Sequence, residues 1–321
     1  MKPERRVQPK FSIRWAAGAL VLLVAIALFD QWLTKFPDRR ELGWRVAHIE
    51  REPVAFEPGA FAPFRLAGAW RLTSDDPRFG GISALAMDGD QLVALSDSGA
   101  VIHFPPTGGP GRIGELPAGP GSGGFKRNRD SEALVADAAG RGWWVAFEHR
   151  DELWLYDRTF GRALRRIGLG DRGWRVNRGI EGVVRDSGSL LLLHEGGDNL
   201  LRVTGRKIRP MRIAGARGTL SDAADLGNGT WLVVERQLTP MGFRNHLVML
   251  KRDGGNYRFG RRFRLPAGPL DNVEAIAIER RPNGRARLWL MTDDNFRPPL
   301  RTLLIALDLP KSGRRKGLGK D

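Results

Sequence analysis

The chain contains no cysteine, which excludes disulfides and every metal site built on thiolate. Histidine is scarce: His48, His103, His149, His194 and His246 show neither H-x-x-x-H nor H-x-H spacing. The nucleophile elbow is missing as well, because Gly81-Ile82-Ser83-Ala84-Leu85 lacks the second glycine of G-x-S-x-G. The phosphate-cradling P-loop pattern is absent too. Acids are the outnumbered charge class, 36 against 52 Lys and Arg, for a formal charge of +16 over 321 residues. Half of that excess sits in two tails, carried by Lys2, Arg5, Arg6, Lys10 and Arg14 and by Lys311, Arg314, Arg315, Lys316 and Lys320, leaving +8 between them. Charge placed this way argues against a nucleic-acid partner and fits a solvated arginine-rich surface, with some preference for anionic small molecules.

One apolar run stands out for its length. Trp15 to Phe29 (WAAGALVLLVAIALF) spans 15 residues without a polar side chain, after five basic residues and before Asp30. Basic flanks stay on the cytoplasmic side, so everything beyond Phe29 is expected to be exported. The run reads as an uncleaved single-pass anchor, with Trp32 and Leu33 extending it; Ala25-Ile26-Ala27 leaves cleavage after Ala27 open. The expected location is the periplasmic side of a bacterial inner membrane, or the periplasm if the segment is removed.

From Phe79 onward a short pattern recurs: an acid or Ser, small apolar residues, a turn, an apolar strand, then another acid. Ser83, Glu132, Glu181, Asp222 and Glu274 align at spacings of 49, 49, 41 and 52, the length of a four-stranded propeller blade. Hairpin turns fall at Asp88-Gly89-Asp90, Gly140, Ser187-Gly188, Gly227-Asn228-Gly229 and Pro282-Asn283-Gly284. Leu153–Tyr156, Leu200–Val203, His246–Leu250 and Leu303–Leu307 read as outer strands, and FRLAGAWRLT (64–73) as the strand that closes the ring. The fold expected is all-β, a β-propeller of five blades with a sixth left open, after the N-terminal membrane helix; a β-sandwich is the competing architecture. The divisions are 1–35 for the basic segment and anchor, 36–55 for a linker, 56–310 for the propeller and 311–321 for a basic tail.

Inner strands of a propeller run along its axis, so an acid at one fixed point per blade becomes a ring. Ser83, Glu132, Glu181, Asp222 and Glu274 form one expected tier, and Asp97, Glu148, Glu195, Glu235 and Asp293 a second. Crowded carboxylates call for a hard cation, raised pKa values or interleaved arginines. Calcium suits a site with carboxylates and no thiolate; blade-to-blade hydrogen bonding is the structural alternative for the same acids.

The motifs Phe79-Gly80-Gly81-Ile82-Ser83, Leu95-Ser96-Asp97, Asp130-Ser131-Glu132-Ala133-Leu134, Asn177-Arg178-Gly179-Ile180-Glu181, Val234-Glu235-Arg236, Asp271-Asn272-Val273-Glu274-Ala275-Ile276 and Thr292-Asp293-Asp294-Asn295-Phe296 together resemble the phytase-like, "esterase-like activity of phytase" family of exported bacterial proteins. The resemblance runs from about residue 56 to 309 and implies a propeller that hydrolyses phosphate esters or related anionic esters with calcium. On that reading Glu132, Glu181, Asp222, Glu274 and Asp294 hold metal. Asp97, Glu148 and Asp293 are catalytic, and Arg129, Arg178, Arg236 and Arg297 clamp the anionic substrate. Ser83 departs from the acidic pattern. A non-catalytic envelope-binding propeller and a lactonase-type propeller are the alternatives.

Overall fold

The computed structural model describes residues 43–310 except 123–125, 175–177, 198, 241, 269–271 and 283. The expected membrane segment and both basic tails lie outside the described residues. Among those described, no helix is long and apolar enough to cross a membrane.

Two strands come first, β1 (Arg45–Pro53) and β2 (Arg65–Ser74). Blade 1 is β3 (Ile82–Asp88), β4 (Gln91–Ser96), β5 (Ala100–Phe104) and β6 (Gly109–Glu115). Blade 2 is β7 (Ser131–Ala136), β8 (Gly142–Phe147), β9 (Glu152–Asp157) and β10 (Ala163–Gly168). Blade 3 is β11 (Ile180–Asp186), β12 (Ser189–His194), β13 (Asn199–Thr204) and β14 (Lys207–Ala214). Blade 4 is β15 (Thr219–Gly227), β16 (Thr230–Thr239), β17 (Gly242–Asp253) and β18 (Asn256–Arg264). Blade 5 is β19 (Val273–Arg280), β20 (Ala286–Thr292) and β21 (Leu303–Asp308), completed by β2, which pairs antiparallel with β21. The inner strands β3, β7, β11, β15 and β19 each neighbour the next and return to the first, so the ring has five blades.

Local sequence accounts for the hairpins. Ser187 and Gly188 both take positive φ (48° and 77°) between the paired Asp186 and Ser189, as a two-residue turn matched to strand twist demands. Asn228 (55°) and Gly229 (67°) do the same between Gly227 and Thr230. The continuous apolar runs have a geometric reason. Successive side chains point to opposite sheet faces, and each face of a blade meets a different neighbour. Leu190 and Leu192 of β12 enter the core between blades 2 and 3, whereas Leu191 and Leu193 enter the core between blades 3 and 4. Both parities must therefore be apolar, and WWVAF and LLLL result. The apolar residues are divided among five such inter-blade cores, which leaves the axis free for polar side chains.

The closing strand expected at 64–73 is β2. Residues 36–55, read from sequence as a linker, contain β1, which hydrogen-bonds to β2 on one side and β6 on the other. It sutures blade 5 to blade 1, and its half-polar alternation (only Ala47 and Ile49 of its nine residues are buried) hides it from a search for long apolar runs. A buried clasp supports the suture. Arg78, wholly inaccessible to solvent, donates to both carboxylate oxygens of Asp76 and to the carbonyls of Gly43 and Ile113.

Candidate functional site

Every inner strand carries a register shift near its start. It falls between Ile82 and Ala84, between Ser131 and Ala133, between Ile180 and Gly182, and between Val273 and Ala275. A bulge leaves one residue without a ladder partner and re-aims its side chain. The residues so released are Ser83, Glu132, Glu181 and Glu274, and all four line one cavity on the axis. The next tier follows from the strand pairing. The amides of Asp97, Glu148, Glu195 and Asp293 donate to the carbonyls of Gly81, Asp130, Gly179 and Asn272, which places each acid just past the C-terminal end of the second strand of its blade. These four also line the cavity.

Blade 4 departs from the pattern by one residue. The shift in β15 lies between Leu220 and Ala223, and Arg236 pairs with Thr219. By position the tier member is Ser221: its hydroxyl donates to Val273 O at 3.1 Å, as Ser83 donates to Ser131 O at 2.5 Å. The expected Asp222 is absent from the cavity lining. It is buried and accepts hydrogen bonds from the amides of Ala223 (2.7 Å) and Ile276 (2.8 Å) and from the backbone of Leu85, so it ties blades 4, 5 and 1 together. The second tier is corrected likewise. Glu235 turns away and is held by Arg262 and by the amide of Arg217, while Arg236 occupies the acid's place. An apolar residue precedes four of the five tier members (Ile82, Ile180, Leu220 and Val273; Ser131 stands before Glu132), and that is the signal that aligns Ser221 correctly.

The cavity encloses about 260 Å³. Eight carboxylates face it: Asp97, Asp130, Glu132, Glu148, Glu181, Glu195, Glu274 and Asp293. Two cations, Lys126 and Arg236, face it with them, so full ionisation would leave a charge of −6. Arg236 pairs with Glu274 and donates to Asn272 Oδ1 at 3.0 Å; Asn272 in turn donates to Asp293 Oδ2 at 3.2 Å. Lys126 pairs with Asp97 and stands 3.6 Å from Asp130. Two lining residues are additions to the expected tiers: Asp130, which stands two residues before Glu132 in the same repeat copy, and Lys126, which belongs to no repeat. It comes from a 3₁₀ turn at Lys126–Asn128, fixed by Asn128 donating to Ser122 O and Arg129 donating to Pro120 O.

Burial pushes most of these acids up, since desolvation and like charge both disfavour the anion. Burial and then the carboxylates of Glu181, Asp130 and Glu148 hold Glu132 well above its ordinary range. Glu181 is raised well above its range by burial and by Glu148 and Glu274. Burial and Asp130 bring Glu148 to about 7, and burial, Asp97 and Glu274 bring Asp293 to about 8. Glu195 and Glu274 are raised by burial despite Arg236. Asp130 is the exception: burial opposes ionisation, but the His149 hydrogen bond and Lys126 outweigh it and lower the pKa.

The other expected residues fall in several places. Asp294 caps a turn, its Oδ1 accepting from the amides of Gly81 (2.9 Å) and Phe296 (3.0 Å), and lies outside the lining. A Cβ on Gly81, whose φ is +58°, would collide with the Asp97 carboxylate and the Phe296 ring, so glycine is required at this approach. Of the four arginines expected to clamp an anion, only Arg236 lines the cavity. Arg129 is buried and donates to backbone carbonyls. Arg178 sits beside Glu195 at 3.6 Å with 40% of its side chain exposed, and Arg297 is exposed. Local pairing decides these placements, and the sequence pattern does not encode it.

The lining fits a hard cation such as calcium. All of its acidic donors are oxygens, no imidazole or sulfur lines it, and Asp97 Oδ1 is buried with no hydrogen-bond partner among the described residues. The channel beyond is different in kind: a second cavity of about 160 Å³ is walled chiefly by apolar inner-strand residues, among them Leu85, Leu134, Val183 and Ile276.

The model of the phytase-like family, described as "esterase-like activity of phytase", matches residues 77–296. No curated protein matches the chain. Among solved structures, the chain is similar to the glutaminyl cyclase of Myxococcus xanthus, at 13% identity over 82% of this chain and 97% of that one, with a TM-score of 0.49. It is similar also to the Cps50 (Swd1) β-propeller domain of Myceliophteria thermophila, at 13% identity over 75% and 69% with a TM-score of 0.41. The WD40 repeats of RRP9 match at 8% identity over 81% and 100%, with a TM-score of 0.43.

Proposed function

The chain belongs to the phytase-like family, and from that premise we propose that it is a divalent-cation-dependent hydrolase of anionic esters, phosphate esters foremost, working in the acidic half of its channel. The observation that carries this reading is the convergence of eight carboxylates on one cavity with two cations to balance them. Calcium held by Glu132, Glu181, Glu274 and their neighbours would supply positive charge to a phosphate oxygen and make a bound water more acidic. The chain's own residues account for the rest. Arg236 and Lys126 offer charge-assisted hydrogen bonds to an anionic group. Glu148 and Asp293, brought to about 7 and about 8, are poised to exchange protons near neutral pH. Titrating the full chain with calcium by calorimetry, with thermal melting alongside, tests the reading: saturable binding with a rise in melting temperature is expected. Glu181→Gln and Glu274→Gln should both weaken binding and abolish phosphate-ester hydrolysis. Intact binding and turnover in both variants would sink the assignment.

A second reading has its own support. Three of the four expected clamp arginines stand away from the cavity, which suits a binding propeller whose ring is held by Arg236 and Lys126. Calcium binding without turnover of phosphate esters, carboxylic esters or lactones would favour it. On either reading the propeller works outside the cytoplasm, tethered by residues 15–29; digestion by protease added to spheroplasts is the expected result, and protection would contradict it.

A further inference from the structure

One edge of the acidic cavity differs in chemistry from the rest. Asp130, Glu148 and His149 bring one donor atom each within 4.8 Å of one another. His149 Nε2 lies 2.8 Å from Asp130 Oδ2 and 3.4 Å from Glu148 Oε2. Asp130 and Glu148 line the cavity, and His149, outside the lining, contacts both.

We infer that blade 2 carries a second metal site at the edge of the acidic cavity, in which His149 joins Asp130 and Glu148 of its lining to bind a borderline divalent ion of the zinc, cobalt or nickel class. The donor set decides the class. Calcium takes oxygen ligands, whereas a neutral imidazole with carboxylates suits first-row ions. Size agrees: metal–ligand bonds of about 2.0–2.1 Å set tetrahedral ligand–ligand separations near 3.3 Å. The His149–Glu148 distance already has that value, and the His149–Asp130 pair has to open by roughly half an ångström from its hydrogen bond.

The blade holds the three ligands in place before any ion arrives. The Glu148 amide donates to Asp130 O at 2.9 Å, which fixes the two carboxylate-bearing residues opposite each other. The turn that presents His149 is closed by Asp151 N donating to Glu148 O at 3.3 Å. It is also pinned from the side by Arg150, which donates to Asn128 Oδ1 at 2.7 and 3.0 Å. Lys126 stands on the opposite oxygen of Asp130 at 3.6 Å, an outer partner that orients the carboxylate and leaves Oδ2 toward the imidazole. Three protein ligands would leave the fourth position of a tetrahedral ion open, the arrangement of an ion that can also hold water or substrate. The single histidine explains why no spaced-histidine motif announces the site.

The test is titration of the full chain with zinc and with cobalt, following cobalt by its visible absorption, before and after saturation with calcium. Expected are one saturable ion per chain that calcium does not displace, and weakening by more than about 100-fold in His149→Ala, beyond what loss of an outer partner costs. His149→Asp, with an all-oxygen set, should lose cobalt's nitrogen-ligand spectrum. The calcium-induced rise in melting temperature, read in the same variants, reports that they are folded and measures the calcium site separately. Absence of saturable zinc binding to the wild-type chain would overturn the inference. So would zinc affinity unchanged in a His149→Ala chain that melts cooperatively. Failure of calcium to bind would count against the oxygen-only site and leave this one standing.

Discussion

Two buried charge clusters, one beneath the suture and one on the axis, are built from the same residue types and behave oppositely. At the suture, Asp76 accepts four hydrogen bonds from Arg78 and Arg45. Although burial opposes ionisation, these partners hold its pKa well below the usual carboxylate range. On the axis, eight carboxylates share two cations, and all but Asp130 are raised. A cluster that satisfies itself stabilises the fold. One left with excess charge is stabilised by a proton or a bound cation, and that need is what marks it as a site.

The largest effect is expected from breaking the satisfied cluster. Arg78→Ala should cost about 3–5 kcal/mol at neutral pH, because it strands a buried carboxylate. Chemical denaturation measures the loss. Calcium affinity should hold, and a matching loss of affinity would show that the two clusters are coupled.

The axial cluster should announce itself in the pH dependence of stability. Glu148 and Asp293, at about 7 and about 8 when folded, keep protons that the unfolded chain releases near pH 4 to 4.5. The native state therefore binds more protons across that window, and metal-free stability falls as pH rises from about 5 to 8. The two groups together imply a loss of about 6 kcal/mol over that range, largely restored by calcium. Asp76 has the opposite sign: its contribution is present above the ordinary carboxylate pKa and disappears as pH falls below it. Urea denaturation at pH 3, 5, 6.5 and 8, with calcium and with chelator, separates the two; stability flat from pH 5 to 8 without metal would remove the contrast.

Smaller changes sharpen the boundary between the clusters. Asp222→Ala should destabilise by about 2 kcal/mol, since it leaves buried amides unpaired, with calcium affinity within twofold or so of wild type. A large loss of affinity would return Asp222 to the site. Ser83→Ala, which removes one hydroxyl donor to the Ser131 carbonyl, should cost about 1 kcal/mol and spare calcium binding. Paired melting and calorimetry of these two variants measure both quantities.

The axial tiers were legible where the repeat is regular and misread where it slips. Glu132, Glu181 and Glu274 follow the pattern into the cavity, as do Asp97, Glu148 and Asp293. In blade 4 the acids at Asp222 and Glu235 drew the alignment one residue off, because a sequence pattern rewards matching chemistry while a bulge is set by the partner strand. The fold itself was determined by the sequence: apolar runs at both parities can bury only between two neighbouring sheets, and Ser-Gly and Asn-Gly turns fix where each run reverses. Tertiary structure decided the rest. It seated β1 across blades 5 and 1, swung Lys126 in from a loop, put Arg236 in an acid's place and withdrew Arg129 into backbone contacts. Those outcomes depend on strands far apart in the chain meeting in one register, and no local run of residues carries that information.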